Sequence, residues 1–90
     1  MTDVDVRFQP TPNPNAGKFS TNRQVVDGDA SRSYFTREQA QGDPLAEALM
    51  AIEGVSSLFM VDDFVTVTKL PEADWGHLIP LVEAAIRANL

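Results

Sequence analysis

Apolar and polar residues alternate with a period of two near the start of the chain. Val4-Asp5-Val6-Arg7-Phe8-Gln9 reads as a half-buried strand. After a proline-rich interval, Lys18-Phe19-Ser20-Thr21 offers a second strand. Residues 22–31 are polar and turn-rich, with weak strand character at Gln24-Val25-Val26, and Ser33-Tyr34-Phe35 offers a further short strand. Residues 39–43 read as a linker. The period then changes. Asp43 suits a helix N-cap, Pro44 suits the first helical position, and Leu45, Leu49 and Ile52 recur at helical spacing with Ala48 widening the stripe. Gly54 supplies a left-handed stop, so the pattern predicts a helix of roughly ten residues. Residues 55–60 and 64–68 return to the strand pattern, the second run strongly β-prone. Asp62-Asp63 joins them without a glycine, which predicts a hairpin loop that includes Val61 or runs longer. Asp74 is a second N-cap, and Trp75, Leu78, Ile79, Val82, Ala85, Ile86 and Leu90 trace a helical stripe. Pro80, beyond the first turn, predicts a kink or an irregular start. The order β-β-(β)-α-β-β-α predicts an α+β fold, a mainly antiparallel sheet with two helices packed on one face.

Ninety residues suit a single domain spanning 1–90, burying roughly 60–65% of the extended chain's surface. The net charge is −6, and the seven basic residues are spread singly, a pattern that excludes nucleic acid and anionic membranes as expected partners. Met1-Thr2-Asp3-Val4-Asp5 carries acid where a secretory signal carries base, and no long apolar run follows, so a cytoplasmic location is expected. The sequence has no cysteine. Disulfides, thiolate metal sites, a cysteine-ligated iron–sulfur cluster and a cysteine nucleophile are therefore excluded within it.

Few residues offer chemistry. Asp62-Asp63 reads as a solvated turn, because a hard cation needs further oxygens in defined places. His77, the only histidine, has no partner pattern for base catalysis or metal binding, and Trp75 reads as a lid on the core. Glu47, Glu53, Glu72 and Glu83 are scattered, and no Gly-rich phosphate loop appears. No catalytic residue and no metal ligand set is expected. The unusual segment is Thr11-Pro12-Asn13-Pro14-Asn15, followed by Gly17-Lys18-Phe19. The prolines hold Thr11 and Asn13 extended, while Asn15 and Gly17 are placed to take the positive φ of a sharp reversal. Two readings stand. The loop is a well-built turn in which Asn13 and Asn15 bridge backbone groups, or it is a rigid surface whose amides, with Lys18, meet a partner. Residues alone favour the turn.

Four blocks, in order, carry a resemblance: Thr11-Pro12-Asn13-Pro14-Asn15 with Lys18-Phe19; Pro44-Leu45-Ala46 through Ile52-Glu53-Gly54-Val55; Asp63-Phe64-Val65-Thr66-Val67-Thr68-Lys69; and Asp74-Trp75 with Leu78 and Pro80. Together they resemble the amino-terminal domain of Nfu/NifU-like iron–sulfur cluster scaffold proteins. In that family the domain precedes a second one whose Cys-x-x-Cys motif holds the cluster, so this cysteine-free sequence resembles a stand-alone form. The resemblance implies a non-catalytic accessory module in iron–sulfur cluster assembly or transfer, and a monomer is expected. Its implied partners are iron–sulfur assembly proteins or apo-targets, and it would meet iron or a cluster only through them, holding no cofactor through cysteine. The proline loop is the leading block of the resemblance, which brings its two readings level. The partner-binding residues implied are Thr11, Asn13, Asn15 and Lys18, joined by Asp62 and Asp63. Two alternatives remain: a general peptide-binding domain taking an extended segment on a sheet edge, and a weakly iron-binding delivery protein using carboxylates and His77.

Overall fold

Five strands and two helices follow one another as β1 (Val6–Pro10), β2 (Ala16–Thr21), β3 (Ser31–Tyr34), α1 (Pro44–Met50), β4 (Val55–Val61), β5 (Phe64–Lys69) and α2 (Trp75–Asn89). They are seen in a computed structural model that describes residues 4–26 and 30–90. Every neighbouring pair of strands is antiparallel, in the spatial order β1-β2-β5-β4-β3. The α+β class and the element order are those expected.

Strict alternation divides the sheet into two faces. Gly17, Phe19 and Thr21 of β2, Leu58 and Met60 of β4, and Val65, Val67 and Lys69 of β5 are buried. Both helices pack on that face and against each other, α1 lying on β4 and α2 on β1. Leu49 of α1 and Leu78, Val82 and Ile86 of α2 are at most 1% exposed there. The residues between, including Lys18, Phe59, Phe64 and Thr66, are half-buried or exposed on the uncovered face.

Local chemistry accounts for most boundaries, and the departures have causes. Asp43 caps α1, its Oδ1 accepting the Ala46 N–H at 3.2 Å, and Asp74 caps α2 by accepting the Gly76 N–H at 3.1 Å. The first helix is seven residues, shorter than predicted: the Ala51 N–H still bonds the Glu47 carbonyl, but that of Ile52 turns to Leu49, and the chain turns through residues 51–54. Gly54 does take φ 101°, and Ile52 falls in that turn, while Ala46 and Met50 complete the buried stripe. The predicted weak strand at Gln24-Val25-Val26 does not form. Instead the N–H groups of Val25 and Val26 converge on the Asp62 carbonyl at 2.7 and 3.1 Å, and Val26 is buried. The hairpin between β4 and β5 is tighter than predicted: Val61 pairs with Phe64, and Asp62 takes φ 50°, a conformation aspartate tolerates better than most residues. Residues 16–17 join β2, and β3 lies over 31–34 rather than 33–35. Pro80 does not interrupt α2. The carbonyl its ring approaches and leaves without a donor belongs to Gly76, in the first turn, where helical bonding is weakest.

Asp43 also ties the edge strand to α1. Its Oδ2 accepts from Tyr34 Oη at 2.9 Å and from Arg32 at 3.1 Å. Burial raises the carboxyl's pKa, but the bonds from Tyr34, Ala46 N–H and Arg32 outweigh it and leave it below the ordinary 3.8. A carboxylate with a depressed folded-state pKa contributes stability that is present above its unfolded value and lost as pH falls toward the folded one. Asp43→Asn keeps a side-chain acceptor for the cap and removes the titration. In urea unfolding, the difference in stability between wild type and this variant should stay constant above about pH 5 and shift against the wild type as pH falls through 3.8. A pH-independent difference would refute the assignment.

Candidate functional site

The 11–15 loop connects β1 to β2 and is bonded throughout. Thr11 Oγ1 accepts the Asn13 N–H at 3.2 Å and lies 2.9 Å from the Ala16 carbonyl and 3.0 Å from that of Asn13, either of which its single proton serves. Asn13 Oδ1 accepts the Asn15 N–H at 2.9 Å, an Asx turn, and the Asn13 carbonyl accepts the Ala16 N–H at 3.0 Å. Two long-range bonds then fasten this clip to the rest of the fold. The Asn15 residue accepts twice from Lys69, its carbonyl from the backbone N–H at 2.7 Å and its Oδ1 from Nζ at 3.1 Å. The Trp75 indole N–H donates to the Pro14 carbonyl at 3.0 Å. Pro12, Asn13 and Pro14 form the exposed rim.

Trp75 is half-buried, with its ring 5.2 Å from that of Phe8 and 6.1 Å from that of Phe19, and Phe8 and Phe19 stand 5.1 Å apart. The core-lid reading captures one side of this residue; its N–H also holds the clip. Neither Asn15 nor Gly17 takes the positive φ expected of it. Gly17 sits inside β2 for a different reason: a Cβ there would collide with the Phe8 ring and come within 3.1 Å of the Trp75 ring. It is a matter of space, not of dihedral freedom.

Lys69 is 8% exposed, and its ammonium faces neutral oxygens: Asn15 Oδ1 at 3.1 Å and the carbonyls of Leu70 and Pro71 at 3.3 and 3.5 Å. Among the described residues no carboxylate pairs with it. A buried ammonium needs an acceptor for each N–H, so the clip and the lysine hold each other in place.

The expected contact residues do not form one surface. Thr11, Asn13 and Asn15 belong to the clip. Lys18 lies on the uncovered sheet face, its Nζ 4.3 Å above the centre of the Phe64 ring. Asp62 and Asp63 lie at the opposite end of β2, roughly 17–20 Å along a six-residue strand. Their side chains are exposed, and their carbonyls are structural: that of Asp63 accepts from the Thr21 N–H at 2.8 Å and from its Oγ1 at 3.0 Å. Sequence reasoning missed a cavity of about 440 Å³ at the start of α2, where Glu53, Glu72, Asp74 and exposed His77 surround Leu70 and Leu78. Only the fold brings these carboxylates to one place. The residues do not fit an iron–sulfur cluster: the sequence offers no thiolate, and no three His, Asp or Glu among the described residues are placed to hold a metal ion.

The model for the family described as scaffold protein Nfu/NifU N terminal matches residues 6–90. NifU-like protein 5, mitochondrial, of Arabidopsis thaliana is 37% identical over 81 residues, covering 90% of this chain and 29% of that protein. NFU1 iron-sulfur cluster scaffold homolog, mitochondrial, of Homo sapiens is 42% identical over 82 residues, covering 90% of this chain and 32% of that protein. The chain thus spans about three-tenths of the length of these curated relatives. The crystal structure of protein SAV1430 from Staphylococcus aureus matches with a TM-score of 0.78 at 29% identity, over 94% of this chain and 99% of that one. Among the described residues no helix is long and apolar enough to cross a membrane.

The clip makes a thermodynamic statement that a double-mutant cycle can check. Asn15→Ala takes an acceptor from a buried ammonium and should cost about 1–3 kcal/mol in urea unfolding. Lys69→Met keeps the aliphatic stem and removes the need for that acceptor. In its background Asn15→Ala should cost less, giving a coupling of about 0.5–3 kcal/mol. Additive effects would mean that the two side chains are independent.

Proposed function

The chain belongs to the Nfu/NifU amino-terminal family, and from that premise we propose that it is a non-catalytic accessory module in iron–sulfur cluster assembly or transfer, acting by contact with other proteins. The observation that carries this reading is a scaffold-family match over residues 6–90 in a sequence without a cysteine. A cluster needs thiolates, which these 90 residues lack, so the cluster is held by other residues and the share of the work proposed for this chain is recognition.

The proposed contact is the rim of the clip. Its backbone is already fixed by two prolines, an Asx turn and the bonds to Lys69 and Trp75, so a partner loses little affinity in ordering it. Thr11 and Asn15 hold the rim from behind, while exposed Asn13 uses its side-chain oxygen, its carbonyl and its backbone N–H internally and leaves its side-chain amide nitrogen out of every hydrogen bond among the described residues. Lys18 belongs to a second face, and Asp62 and Asp63 are too distant to share a small footprint with the rim.

Asn13→Asp separates recognition from folding because it keeps the oxygen that accepts the Asn15 N–H and removes the outward donor. Crosslinking pull-down from native extract should recover iron–sulfur assembly proteins or apo-targets with wild type, and several-fold less with Asn13→Asp. Unfolding free energies of the two should agree within about 0.5 kcal/mol. Equal recovery by both proteins would remove the rim from the proposal, and recovery without iron–sulfur proteins would remove the function.

A further inference from the structure

The register of the ladders places thirteen residues on the uncovered face. They form three rows across the sheet: Ser31, Val61, Phe64, Ser20 and Arg7; then Ser33, Phe59, Thr66, Lys18 and Gln9; then Ser57, Thr68 and Ala16. None of them is a carboxylate, although the chain has 13 Asp and Glu against 7 Lys and Arg. Among the described residues the nearby acids, Asp5, Asp62 and Asp63, stand at one end of the sheet, beyond the ladders. The face is also divided across its width. On the β4–β5 side, Phe59 is 41% exposed, with half-buried Val61 and Phe64 beside it. On the β1–β2 side lie Arg7 and Lys18, and no ion pair among the described residues involves either. Uncovered antiparallel faces are ordinarily polar, so apolar side chains flanked by unpaired cations on one are unusual.

We propose that this face docks an acidic amphipathic helix of a partner protein, lying along β5. The dimensions fit. Phe59 and Lys18 are separated by two strand spacings, about 10 Å, which is the width of a helix with its side chains. A helix on β5 lies over Phe64, with one flank on Phe59 and Val61 of β4 and the other on Lys18 and Arg7. Apolar residues on the first flank and Asp or Glu on the second complement both halves. The cations steer the approach, and the aromatic side chains hold the bound helix. Lys18 already rests over the Phe64 ring, 4.3 Å from its centre, so pairing with a carboxylate there requires little ordering of its stem. A second copy of the chain is a poor occupant, because the ladder residues of this face include no carboxylate and so, whichever way the two-fold axis runs, give Arg7 and Lys18 of the other copy no partner of opposite charge. This inference is independent of the iron–sulfur reading, and either stands if the other fails.

The test is a single-helix peptide library with one face randomised, selected on the full 90-residue chain. Selected helices should carry Asp or Glu along one flank and Leu, Ile or Phe along the other. Their affinity should fall about tenfold or more with Lys18→Glu and with Phe59→Ser, and remain unchanged with Asn13→Asp. Both face positions are partly solvated, and circular dichroism would verify that the variants fold. Selected helices without acidic enrichment, or binding indifferent to both face variants, would overturn the proposal. So would a dimer in sedimentation that Phe59→Ser dissolves, or flotation with phosphatidylserine vesicles that Lys18→Glu abolishes, since those results assign the face to a second copy or to a membrane.

Discussion

The missing side chain at Gly17 is the point on which the two layers meet. β1 is an edge strand, held on one side only by β2, and α2 reaches it by laying Trp75 over the backbone of β2. That approach is possible because Gly17 has no Cβ to meet Phe8 and Trp75. The consequences spread outward. The Phe8, Phe19 and Trp75 rings close one end of the core, the indole N–H comes within reach of Pro14, and Arg87 further along α2 donates to the Val4 carbonyl at 3.3 Å. The last element of the chain thereby secures the first, and the edge strand gains through side chains what its ladder lacks.

Local signals were legible because their causes are local. Asp43, Pro44, Asp74 and Gly54 punctuate the helices by short-range bonding and dihedral preference, and the alternation in residues 64–68 is a property of a few adjacent side chains. What could not be read are contacts between distant positions. Lys69 lies 54 residues from Asn15, and Trp75 lies 61 from Pro14. Without those bonds the proline loop is indistinguishable from any rigid turn. Gly17 shows the same limit from the other side. A glycine after Asn15 signals a positive φ on local grounds, yet its reason is a ring approaching from another element. Val25 and Val26 mislead similarly, since their strand-like character serves burial beside Asp62 and not a ladder. Of the six expected contact residues, three share the clip, Lys18 lies on the uncovered face, and the sheet's length separates Asp62 and Asp63.

The clip also shows that the turn and surface readings are not rivals. A loop pinned by Lys69 and Trp75 is a structural element, and the same pinning gives its rim a fixed shape. Rigidity and presentation arise from one set of bonds. The distinction that matters is between the atoms turned inward, such as Asn13 Oδ1, and those turned outward.

Charge is distributed along the same logic as burial. A sheet covered on one side must expose its alternate residues on the other, and Ser and Thr at Ser20, Ser33, Ser57, Thr66 and Thr68 meet that need: they tolerate water without adding charge. Phe59 does not, and among the described residues no helix covers it. On the opposite layer, Glu53, Glu72 and Asp74 gather around the cavity at the start of α2. The net charge of −6 therefore describes neither surface well. One end of the helical layer is more acidic than the mean, and the thirteen ladder residues of the uncovered face carry only positive charge. A whole-chain average argues against binding anionic partners, but a protein segment meets only the face it touches, within a screening length of about 8–10 Å. That is why a chain acidic overall still has a face suited to acidic segments.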